Sequence, residues 1–77
     1  MEAKMYSTSR CSWGDRVAKM LEENEVIVEK IDISGDKTLM KEMQKAAGKK
    51  VTSVPQVVID GKFVGGYTEV ERFINRL

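Results

Sequence analysis

A single cysteine, Cys11, stands in the stretch SRCSWG (residues 9–14), and its surroundings decide which reactions are open to it. A thiolate is a nucleophile, and a second thiol three residues further on would let the pair close a disulfide within the chain. Here that position is Gly14. Without a resolving thiol, Cys11 can form only a mixed disulfide, which an external thiol must then resolve. The 77 residues contain no histidine, which removes a nitrogen-and-sulfur zinc set and any histidine-based catalytic dyad.

Cys11 falls between a stretch that reads as a strand and one that reads as a helix, so the N–H groups of Trp13 and Gly14 and the helix dipole would favour its thiolate. Arg10 and Arg16 add positive charge. The alternative is a buried, inert thiol. The polar neighbours Ser9, Arg10 and Ser12 argue against burial.

Two further stretches carry binding chemistry. TSVPQ (residues 52–56) contains the only proline, directly ahead of a strand. Such a proline is ordinarily an edge or turn device. In this order of elements it points to a cis Val54–Pro55 bond that turns the Val54 N–H and C=O outward, where they can pair with a peptide-like ligand. In GGYTE (residues 65–69) two glycines permit close backbone approach, and the N–H groups of Tyr67 and Thr68 can hold a carboxylate. Alone, this stretch reads as a turn and a helix cap. Together with Cys11 and Val54–Pro55 it reads as a binding segment.

The elements that must position these residues follow from periodicity. Residues 2–7 read as a first strand, and Trp13, Val17, Met20 and Leu21 form the stripe of an amphipathic helix ending near Asn24. EVIVEKID (residues 25–32) is rich in β-branched residues and reads as a second strand, followed by a turn at SGD. Leu39, Met40, Met43, Ala46 and Ala47 predict a second helix over residues 37–47, with Gly48 placed for a left-handed end. QVVID and KFVG, joined by an Asp-Gly turn, predict a hairpin. Val70, Phe73, Ile74 and Leu77 mark a third helix whose start fits a capping box of Thr68 and Glu71. The order is β-α-β-α-β-β-α, with helical crossovers that suit parallel pairing and a final antiparallel hairpin. The five methionines read as core filler.

Length allows one small domain over residues 1–77, and 42% hydrophobic with 32% charged residues suits a globular monomer with a soluble surface. Thirteen basic residues against 12 acidic ones create no field for nucleic acid or an anionic membrane. No apolar run approaches a spanning helix or a signal core, so an intracellular, cytoplasmic protein is expected.

On these residues the chain resembles the glutaredoxins, the thioredoxin-fold family that uses glutathione. YSTSRCSWGDRVAKML is similar to that family's active-site strand, loop and helix, and TSVPQVVIDGKFVGGYTEV resembles its cis-proline and glutathione-binding segment. The resemblance implies a thioredoxin-like α/β fold, a four-stranded mixed sheet flanked by three helices. It implies that Cys11 is the nucleophile that accepts the glutathionyl group, that Val54 pairs through its backbone with glutathione, and that Tyr67 and Thr68 hold the γ-glutamyl carboxylate. Arg10, Trp13, Thr52, Ser53, Pro55 and Gly66 complete the expected glutathione site. The sequence departs from the family's dithiol pattern at Gly14, where a second cysteine is usual, and at Ser12, where proline is usual. Thr68 stands where many relatives carry aspartate, and Thr8 where a lysine is frequent; Arg10, Lys49 or Lys50 are candidates to replace that charge.

The activity implied is glutathione-dependent thiol-disulfide exchange by a monothiol route, acting on glutathionylated or disulfide substrates. The alternative is an iron-sulfur carrier, in which a two-iron two-sulfur cluster is held between two subunits by Cys11 and glutathione from each. Ser12 favours that alternative, because some glutaredoxins with serine there bind clusters. The first reading predicts a monomer and the second a dimer.

Overall fold

The computed structural model describes residues 1–10 and 12–77. Four strands, β1 (Glu2–Ser7), β2 (Ile27–Asp32), β3 (Gln56–Ile59) and β4 (Lys62–Gly65), alternate with three helices, α1 (Ser12–Glu23), α2 (Lys37–Ala47) and α3 (Tyr67–Asn75), in the expected order. The strands form one mixed sheet in the order β2-β1-β3-β4. β1 runs parallel to β2 and antiparallel to β3, and β3 pairs antiparallel with β4. This is a thioredoxin-like arrangement, in which α1 supplies the crossover that parallel pairing needs.

The alternation of β1 divides its side chains between two layers. Ala3 and Met5 join Val57 and Ile59 of the sheet, Val17, Ala18 and Leu21 of α1, and Val70 of α3 in the larger apolar cluster. Tyr6 points the other way, packing with Ile33 and with Met43 of α2. Leu21, Met43, Val57 and Val70 are fully buried, each contributing roughly 1.5–3 kcal/mol by removal from water. The helix α2 covers only part of its face of the sheet. Lys4 and Ile27 remain exposed beside it and line a cavity of about 530 Å³ with Tyr6, Glu29, Ala46 and Val58.

Several boundaries were legible in the sequence. Asp36 caps α2 by accepting a hydrogen bond from the Leu39 N–H at 3.0 Å, and Gly48 closes the helix in the left-handed conformation at φ 71°. The hairpin turns on Asp60 and Gly61, both at positive φ, so β3 stops at Ile59.

Other boundaries correct the expectation. β2 begins at Ile27, not Glu25: Glu25 has φ 62° and the Val26 N–H bonds back to the Leu21 carbonyl, so both belong to the turn after α1. The third helix opens at Tyr67 with Gly66 as its cap, and the carboxylate that reaches back is Glu69, not Glu71. Thr68 therefore lies inside the first turn and is no cap. Trp13 and Leu77 leave the apolar stripes assigned to them, being 50% and 65% exposed, and Leu77 lies past the end of α3. Met5 and Met43 fill the core and Met20 and Met40 pack at its margin, whereas Met1 is 46% exposed.

Candidate active site

Cys11, the expected nucleophile, lies outside the described residues. The chain on either side of it is fixed. β1 ends at Ser7, and the Ser9 N–H donates to Ser34 Oγ at 3.3 Å while the Ser34 N–H donates to Asp32 Oδ1 at 2.8 Å. These bonds tie the loop before position 11 to the turn after β2. The two hydrogen bonds from Ser34 also hold the Asp32 carboxyl below its ordinary pKa. Directly after position 11, α1 opens at Ser12, with Gly14 and Val17 buried beneath its first turns.

The Val54–Pro55 bond is cis, as expected. The Val54 side chain packs against the Tyr6, Ile33 and Met43 cluster, and among the described residues no backbone hydrogen bond uses its N–H or C=O. The loop is braced from below by Gln56, whose Nε2 donates to the Ser53 carbonyl at 3.0 Å and to Ser53 Oγ at 3.1 Å. Thr52 and Ser53 are exposed, and Pro55 is buried.

The third segment meets the other two. Gly65 has φ 128°, and Glu69 Oε1 accepts the Gly66 N–H at 2.8 Å, so the chain enters α3 in one defined direction. A Cβ placed on Gly66 would stand 3.3 Å from the Pro55 carbonyl oxygen, which puts the start of α3 against the proline loop. One residue on, the Tyr67 and Trp13 rings meet edge to face, 5.1 Å apart between centroids at 67°. Trp13, Pro55, Gly66 and Tyr67 therefore converge, although they come from three separated stretches. The N–H groups of Tyr67 and Thr68, in the first turn of α3, are free of intrahelical acceptors by position.

The remaining expected residues stand in the connections between elements. Arg10 is exposed in the turn before α1, and Lys49 and Lys50 are exposed in the loop after α2. Thr8 instead shares a small cavity of about 170 Å³ with Lys30, brought there because Lys30 pairs with Met5 in the parallel register. Nothing in the local sequence around Thr8 announces Lys30. Arg16, by contrast, follows Trp13 by three residues and stacks on its ring, a spacing that does predict contact on a helix.

A helix that opens directly after the single cysteine of the sequence, with a cis-proline loop and a glycine-led further helix meeting at its first turn on a four-stranded mixed sheet, defines a thioredoxin-fold thiol protein. The chain belongs to the glutaredoxin family, whose model matches residues 3–64. It is 39% identical over 72 residues to an uncharacterised monothiol glutaredoxin from Caenorhabditis elegans, covering 87% of this chain but 47% of that protein, so it spans about half the length of this relative. Reduced Escherichia coli glutaredoxin superposes with a TM-score of 0.83 at 25% identity, over 99% of this chain and 95% of that one. A glutaredoxin–glutathione complex from buckwheat has the same fold, with a TM-score of 0.77 at 21% identity over 96% of this chain and 68% of that one. Glutaredoxins are thiol-disulfide oxidoreductases, and the fold and family expected from the resemblance are those found.

Proposed function

We propose that this domain reduces glutathione mixed disulfides by a monothiol mechanism with Cys11 as the nucleophile. The observation that carries the reading is the convergence of Trp13, Pro55, Gly66 and Tyr67 around the head of α1. The Cys11 thiolate attacks the glutathionyl sulfur of a mixed disulfide. The new bond joins Cys11 to glutathione, and the bond that breaks releases the substrate as its thiolate. A second glutathione thiolate then attacks the same glutathionyl sulfur, leaving oxidised glutathione and restoring Cys11. With Gly14 in place of a second thiol, no internal attack competes with that step.

Each of the chain's own groups has a part in this scheme. The Val54 N–H and C=O, which find no backbone partner among the described residues, pair with the cysteinyl residue of glutathione in the manner of an added strand. The first-turn N–H groups of Tyr67 and Thr68 receive the γ-glutamyl carboxylate, helped by the positive end of the α3 dipole. Thr52, Ser53 and Pro55 form one wall, Gly66 permits close approach, and Arg10 and Trp13, which flank Cys11 in the sequence, bound the remaining side. The buckwheat relative, solved with glutathione, supports glutathione as the co-substrate.

The test is glutathione-dependent reduction of a small mixed disulfide by the wild type and by Cys11→Ser. Activity in the first and none in the second is expected; equal rates in both would end the proposal. The cluster-carrier alternative is read in the same preparation. A two-iron cluster is held by four thiolates, of which this chain offers one, so it would need a dimer and two glutathiones. Visible absorbance after anaerobic purification, together with a dimeric mass, would favour it.

A further inference from the structure

On the α1 side of the site lies a stacked cation that the scheme above does not use. The guanidinium carbon of Arg16 stands 4.8 Å from the centroid of the Trp13 ring, and the same ring meets Tyr67. Trp13 is 50% exposed and Arg16 is exposed, whereas Tyr67 is half-buried and packs at the margin of the larger core cluster, so the stacked pair stands at the surface on a ring anchored to the core. A stacked guanidinium uses its face and leaves its N–H edge for a planar acceptor such as a carboxylate. Among the described residues no such acceptor meets Arg16. Arg16 makes no hydrogen bond or ion pair among the described residues, and its helical neighbours at three and four residues are Ser12, Trp13, Lys19 and Met20. The adjacent acid, Asp15, lines the cavity of Thr8 and Lys30 instead.

We propose that Trp13, Arg16 and Tyr67 form a docking surface for the polypeptide that carries the glutathionylated cysteine, selecting substrates with a carboxylate beside that cysteine. The inference rests on the mixed-disulfide reading of the site. Arg16 is four residues into α1 from Ser12, about 6 Å along the axis at the rise of a helix. An extended chain spans roughly 3.3–3.6 Å per residue, so a side chain one or two positions from the reacting cysteine reaches it. The Trp13 and Tyr67 rings supply apolar area for the intervening backbone, and the fixed guanidinium supplies the charge preference.

The experiment compares two peptides that differ only in glutamate or lysine on both sides of a glutathionylated cysteine. Their analogues with serine in place of that cysteine are titrated as ligands, using the fluorescence of Trp13, the only tryptophan. Exposed ion pairs of this kind are worth up to about fivefold, so a preference of that order for the acidic peptide is expected in kcat/KM and in affinity. It should shrink as salt is raised and fall to about twofold in Arg16→Gln, where the helix dipole alone still favours the acid. Both peptides meet the same thiol, so the ratio cancels any influence of Arg16 on its reactivity. Equal treatment of the two peptides by the wild type, or a preference untouched by Arg16→Gln, overturns the proposal. If neither peptide is reduced, the mixed-disulfide reading fails, and the serine analogues still decide the docking surface.

Discussion

Gly66 lies so close to the Pro55 carbonyl oxygen that a Cβ on it would stand 3.3 Å away. The contact is the seam between the proline loop and the head of α3, the two segments proposed to grip glutathione from either side. It also explains why the cap of α3 is a glycine and not the hydroxyl residue that the sequence offers two positions later.

Gly66→Ala tests that seam. Gly66 has φ −91°, which alanine adopts without strain, so the added methyl acts only by pushing the loop and helix apart by a few tenths of an ångström. Misplacement of about 1 Å can cost roughly a hundredfold in positioning, so a several-fold loss of glutathione affinity is expected with little change in melting temperature. Calorimetric titration with glutathione would show it, and an unchanged affinity would place the binding elsewhere.

Gly65→Ala should act on stability. Gly65 has φ 128°, and a Cβ there would meet Glu69 Oε1 at 2.8 Å, so both backbone and space oppose alanine. A residue held in such a region costs of order 1–3 kcal/mol. The same change displaces the carboxylate that caps the Gly66 N–H. Thermal unfolding should shift down by about 4–8 °C per kcal/mol lost for a domain of this size. A melting temperature within error of the wild type would contradict the account of how the chain enters α3.

The bond from Tyr6 to α2 gives a pH dependence. The Tyr6 hydroxyl donates to Glu42 Oε2 at 2.7 Å, and burial, this hydrogen bond and the nearby carboxylates push its pKa from 10.0 up to about 12. Because the folded value lies above the unfolded one, the contribution is fully present below pH 10 and is lost as pH rises toward 12. Tyr6→Phe should cost about 0.5–1.5 kcal/mol at neutral pH and flatten the alkaline fall in stability. Denaturant titrations at several alkaline pH values measure both effects.

Gly14→Cys restores a pair of thiols three residues apart at the head of α1. An intramolecular disulfide should form under mild oxidation and compete with external glutathione, so direct reduction of protein disulfides should appear. Thiol titration of the oxidised variant under native and denaturing conditions is the check, and two titratable thiols would contradict it.

How far the sequence foretold this site differs from residue to residue. The SGD turn, the Gly48 end and the Asp60-Gly61 turn are local devices, and the bounds of α2 and the hairpin could be read from them, although the Asp36 side-chain cap itself emerged only in the structure. The same reasoning failed at α3, because Thr68 is the better side-chain cap while packing of Gly66 on Pro55 and Tyr67 on Trp13 decided the start. Periodicity also counted Trp13 among core residues, since spacing cannot tell a ring that faces the sheet from one held at the surface by Arg16 and Tyr67. Lys30 beside Thr8 depends on strand register, which has no local signature.

The central claim is that Cys11 alone exchanges with glutathione, and an intact-mass measurement after incubation with oxidised glutathione tests it most directly. One glutathionyl increment is expected on the wild type, removed by reduced glutathione and absent from Cys11→Ser. A wild type that stays unmodified, or a Cys11→Ser protein that still gains the increment, would contradict it.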